Sequence, residues 1–116
     1  GEDEPQDQQV IAIQFTDPGI TASGELRYLP DEQVFVLEVT GMPELPEGQV
    51  YQAWLIDDSA PVPVGVMDPV TGEIATSGDR DAYQTFAITV EQGPLGNPAP
   101  TSDPIMVASL QDSDAG

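Results

Sequence analysis

Proline and glycine cut this chain into short pieces. Twelve prolines and eleven glycines are spread through its 116 residues. Proline removes a backbone donor wherever it stands, and glycine favours turns. Between these breaks the apolar residues alternate with period two, the spacing of a pleated strand. Val10 to Phe15 puts Ile11, Ile13 and Phe15 on one side. Glu25 to Leu29 leads through Pro30-Asp31-Glu32, a tight reversal, into Gln33 to Val39, where Phe35, Leu37 and Val39 share a face. Thr85 to Glu91 alternates most cleanly, with Phe86, Ile88 and Val90 inward and Thr85, Thr89 and Glu91 outward. Val50 to Ile56 is apolar on both faces, as a strand covered on each side would be. Val62 to Met67, Glu73 to Thr76 and Ile105 to Leu110 are shorter candidates. About eight short strands at this spacing, with minimal helix, predict an all-β chain: one antiparallel, immunoglobulin-like two-layer β-sandwich.

The sandwich is expected over 10–111. Residues 1–9 carry four acids, a proline and no hydrophobe, the composition of a solvated linker, and 112–116 read as a flexible tail. Pro94 to Pro104 holds four prolines in eleven residues. Such a segment is expected to run extended along an edge or across the sandwich end, since proline cannot donate to a ladder. Covering an exposed edge is its simplest role, and docking another protein the rival one.

Residue chemistry narrows function mainly through what is missing. The chain has no histidine, no cysteine and, with both cations being arginines, no lysine. That removes Ser-His-Asp triads, thiolate nucleophiles, Schiff bases and conventional zinc or copper sites. Only carboxylate or hard-metal chemistry remains. Twenty-one acids against two cations give a net charge of −19, which repels phosphates, so no nucleic-acid partner is expected. Apolar runs are only a few residues long, too short to cross a bilayer as a helix. Repulsion among these charges is screened over about 8 Å at physiological ionic strength. The melting temperature is therefore expected to rise as NaCl goes from about 10 mM to about 500 mM. A flat or falling melting temperature would show that the charges are paired or too dispersed to matter.

Among the acids, Asp57-Asp58 closes a strand at a loop and is the best of a weak set of calcium candidates. Neither it nor Asp79-Arg80-Asp81 or Asp112-Ser113-Asp114 has alternating acids around a glycine, the layout calcium loops use. Metal and cofactor are both expected to be absent. With 21 acids, some pair will stand at any given separation, so a paired-carboxylate hydrolase is not a specific reading. Met42, Met67 and Met106 are expected to fill gaps in the core. Arg27 and Arg80 are each expected in an ion pair worth under about 1 kcal/mol. Tyr51 and Trp54 stand on opposite faces of the two-sided strand, where each is expected to pack, with its O–H or N–H finding a partner.

The run from Leu45 to Asp57 carries a more specific signal. A Gly41-Met42-Pro43 turn is followed by Leu45-Pro46-Glu47-Gly48, then by Tyr51-Gln52-Ala53-Trp54-Leu55. This order resembles the C-terminal domain of the anti-sigma-K factor RskA family. Gly24 to Pro30, Pro63 to Met67 and Phe86 to Glu91 agree with the family in sequence order, so the resemblance covers roughly Val10 to Leu110. It implies a non-enzymatic sensor or gating domain outside the membrane. The parent would be a single-pass protein whose cytoplasmic part holds an extracytoplasmic-function sigma factor until signal-driven proteolysis frees it. That sigma factor would be bound by the cytoplasmic part, leaving this domain open to a protein partner or protease. The family supplies no catalytic residues, and Gly41, Pro43, Pro46, Gly48, Tyr51, Gln52, Trp54 and Leu55 are expected to be structural. The alternative reading is a generic extracellular β-sandwich for binding or adhesion.

Overall fold

The computed structural model describes residues 9–16, 19–57, 60–67 and 72–111. They form nine strands in two antiparallel sheets, with a single 3-10 turn at Arg80–Ala82. The strands are β1 (Gln9–Ile11), β2 (Gln14–Phe15), β3 (Ser23–Leu29), β4 (Val34–Thr40), β5 (Gln49–Ile56), β6 (Pro61–Val66), β7 (Glu73–Ser77), β8 (Thr85–Gln92) and β9 (Met106–Ser109). One sheet has the order β1-β3-β4-β7 and the other β2-β9-β8-β5-β6. Residues 1–8 and 112–116, expected to be linker and tail, lie outside the described residues. Gln9, expected in the linker, begins β1 instead.

Alternation sets the core. Ile11, Leu26, Leu37 and Ile74 stand in register across the first sheet, with Tyr28 and Phe35 beside them. Tyr51, Ala53, Leu55, Phe86, Ile88, Met106 and Ala108 face them from the second. Phe35 reaches Tyr28 within its own sheet (4.6 Å between centroids) and Phe86 across the gap (6.0 Å). A large side chain fully buried in this way contributes about 1.5–3 kcal/mol. Met67 and Met106 are buried in this core, and Met42 packs against it.

The structure departs from the sequence reading at the first strand. The stretch from Val10 to Phe15 is not one strand. Its first part pairs with β3 in one sheet and its last two residues pair with β9 in the other. The break at Ala12-Ile13 lets the chain change sheets, which closes that side of the sandwich. On the opposite side both edges remain, β6 beside β7. Pro61 and Pro63 lie on β6, where an edge strand tolerates residues that cannot donate.

Candidate functional site

Of the motif residues that carry the resemblance, Tyr51, Gln52, Trp54 and Leu55 sit on the two faces of β5, and Gly41, Pro43, Pro46 and Gly48 lie in the loop before it. On the inner face, Leu55 is buried in the core and Tyr51 sends its O–H to the carbonyl of Pro43, at 2.6 Å. Burial pushes the Tyr51 phenol above its ordinary pKa. That hydrogen bond ties down the loop between β4 and β5, which leaves β4 through Gly41, at φ 83°. The loop enters β5 by a tight turn in which Gln49 N–H donates to Pro46 O (3.1 Å). Gly48 holds φ 89° there, a left-handed conformation that a side chain would strain. Beside this loop a pocket of about 310 Å³ is lined by Met42, Pro43, Leu45, Val50, Tyr51 and Met67 among others.

On the outer face, turned away from the other sheet, lie Gln52, Trp54, Ala87, Thr89 and Glu91, all buried. Gln52 forms a two-way bridge to Asn97: its side-chain amide donates to the Asn97 carbonyl (2.9 Å) and its Oε1 accepts the Asn97 N–H (2.8 Å). The Trp54 indole N–H donates to the Thr89 hydroxyl (2.8 Å), which donates to Glu91 Oε2 (2.6 Å). Asn97 Nδ2 and the backbone N–H and hydroxyl of Thr101 complete the set around the Glu91 carboxylate. Ser102 donates to the carbonyl of Val90. The proline-rich segment is thus a strap laid over the outer face of the five-stranded sheet, rather than a cover for an edge. Gly96 (φ 82°) lies so close to Gln52 that a Cβ there would collide with its amide.

Glu91 is the residue whose role sequence reasoning misses. The alternation of β8 points it outward, which is correct for its direction, yet only 2% of it is exposed. Burial alone would raise its pKa. The hydrogen bonds from Thr101, Thr89 and Asn97 outweigh that and hold it below the ordinary carboxylate value. A signal is present in the sequence: the polar positions Thr89 and Glu91 share a face on a strand next to one that is apolar on both sides.

The remaining acids do not converge in the same way. Asp57 accepts the N–H of Ala60 (3.0 Å), and Asp58 lies outside the described residues. Among the described residues no three acids are grouped as a metal site would need. Glu25, Glu38 and Glu73 stand side by side on the outer face of the four-stranded sheet, in an open depression without aromatic residues. Arg27 pairs with Glu38 at 3.1 Å. Arg80 binds the carbonyl of Leu110 (2.7 Å) and the side chain of Gln9 (2.6 Å), joining the two ends of the described chain. No helix among the described residues is long and apolar enough to cross a membrane.

Tyr51 and Gln52 thus fasten a loop and a strap to β5, and Trp54 joins β5 to β8. The chain is a member of the anti-sigma-K factor RskA C-terminal family, whose model matches residues 2–105. It is also similar to a Streptomyces griseus protein described as an uncharacterised protein in the phr 5′ region, 40% identical over 78 residues. That match covers 65% of this chain, and the chain spans about a third of that relative (32%). No solved structure matches the chain. The family is one of anti-sigma factor regulatory domains.

Proposed function

We propose that this domain is the extracytoplasmic, non-catalytic sensor part of a membrane-anchored anti-sigma factor. In this reading a cytoplasmic segment of the parent binds an extracytoplasmic-function sigma factor, and proteolysis triggered through this domain releases it. The supporting observation is the family match over 2–105. The bonds of Tyr51 to Pro43, Gln52 to Asn97 and Trp54 to Thr89 also support it, since they suit a non-catalytic role for these motif positions. The excess of acid keeps such a domain soluble and away from anionic lipid.

The absence of cysteine makes sidedness directly measurable. Ala75, exposed on β7, can be changed to cysteine in the full-length parent and treated with a membrane-impermeant maleimide in intact cells. Labelling of the Ala75→Cys parent before lysis, above that of the unchanged parent, is the expected result. Labelling only after lysis would place the domain on the wrong side for the proposed role. A sigma-dependent reporter provides the second readout: removing this domain from the parent is expected to uncouple reporter output from the inducing stress.

A further inference from the structure

We propose that the Leu95–Gly96 bond is the point at which an endoprotease with a leucine-sized apolar specificity pocket opens this domain. Among the described residues the exposed large apolar side chains are Leu95, Val10 and Val62, at 85%, 64% and 37%. Both valines are β-branched and lie in strands β1 and β6. Leu95 lies in the turn where β8 passes into the strap, and exposed turns are where chains are nicked. Half-buried Leu29, Met42 and Leu45 are each followed by proline, which offers no N–H on the leaving side and carries an obstructing ring. Tyr83, also half-buried, packs against the core. Leu95 is followed by glycine. The segments outside the described residues contain one large apolar residue, Val70. Proteases that cut after basic residues find no lysine, an Arg27 inside β3 and a half-buried, hydrogen-bonded Arg80.

The turn is pinned at both ends. Gly93 N–H donates to Gly48 O (2.8 Å), and Asn97 is held by the two-way bridge to Gln52. A protease slot takes an extended chain, so these pins must open first, and Gln52 sets how often they do. In the cut itself water adds across the amide. The C–N bond breaks, Leu95 keeps a new carboxylate and Gly96 becomes a new α-ammonium. The strap and β9 then have no peptide link to the body. β9 carries buried Met106 and Ala108 and lies between β2 and β8, so its departure opens the five-stranded sheet. The biological use of this cut rests on the proteolysis reading above; its location does not.

The test is brief digestion of the purified chain with chymotrypsin at neutral pH, followed by mass measurement of the first products. Fragments 1–95 and 96–116 are expected. Leu95→Asp is expected to slow the first cut by at least about tenfold with an unchanged melting temperature, because the side chain is exposed. Gln52→Ala is expected to speed cutting about fivefold, and the double variant to be slow again, as local rather than global opening requires. A first cut at another bond would overturn the proposal. So would cutting of Leu95→Asp at the wild-type rate, or a double variant as fast as Gln52→Ala alone. Failure here leaves the sidedness result intact, and labelling of the Ala75→Cys parent only after lysis would leave the cut site intact.

Discussion

Glu91→Ala is expected to destabilise the domain by about 3 kcal/mol at neutral pH, the range for losing hydrogen bonds to a charged acceptor and stranding their donors. The Thr89 hydroxyl, the Asn97 amide and both donors of Thr101 lose their acceptor together. The pH dependence follows from the lowered pKa. The carboxylate contributes fully above its unfolded value near 4.5, and the contribution is lost as pH falls through the lower folded value. Glu91→Gln keeps the shape and one acceptor but removes the charge. Thermal melts of Glu91→Gln and the native chain should therefore differ most above pH 4.5 and draw together only as the pH falls through the lower folded value. A gap that stays constant through the whole of that fall would show that the charge of Glu91 contributes nothing.

Trp54→Ala is expected to cost about 3–5 kcal/mol, the range for deleting a large buried aromatic side chain. Trp54 is fully buried on the outer face of the second sheet, so the loss would empty space between sheet and cover rather than between the sheets. It also removes the donor that orients Thr89 toward Glu91. Equilibrium urea unfolding of Trp54→Ala, Glu91→Ala and the double variant should give a sum that is not additive, because the two residues share Thr89. Trp54→Phe should recover most of the packing but not that coupling. Full additivity would indicate that indole and carboxylate act independently.

Period-two patterning carries most of the fold, because a strand with one face in the core must alternate. That is why the sequence alone puts Phe35, Leu37 and Val39, and Phe86, Ile88 and Val90, on the correct faces. The crossover at Ala12-Ile13 leaves no such mark, since a strand that changes sheets keeps burying Ile11, Ile13 and Phe15. The motif's turn residues are legible through proline and glycine chemistry. Glu91 is not, because an acid on the outer face of a strand reads as solvated unless the covering segment is known. The proline-rich strap is recognisable as a segment unable to join a ladder. Where it lies depends on long-range contacts between Gln52 and Asn97 that no local pattern encodes.

If Glu91 clasps the strap onto the sheet, the backbone N–H of Thr101, which it accepts, must be slow to exchange with solvent although the residue is exposed. Hydrogen–deuterium exchange at neutral pH should show that amide protected in the native chain. In Glu91→Ala its protection should fall by at least about tenfold beyond any change at the Ile88 amide in the sheet interior. A Thr101 amide that exchanges freely in the native chain, or that is equally protected in both proteins, would contradict the clasp.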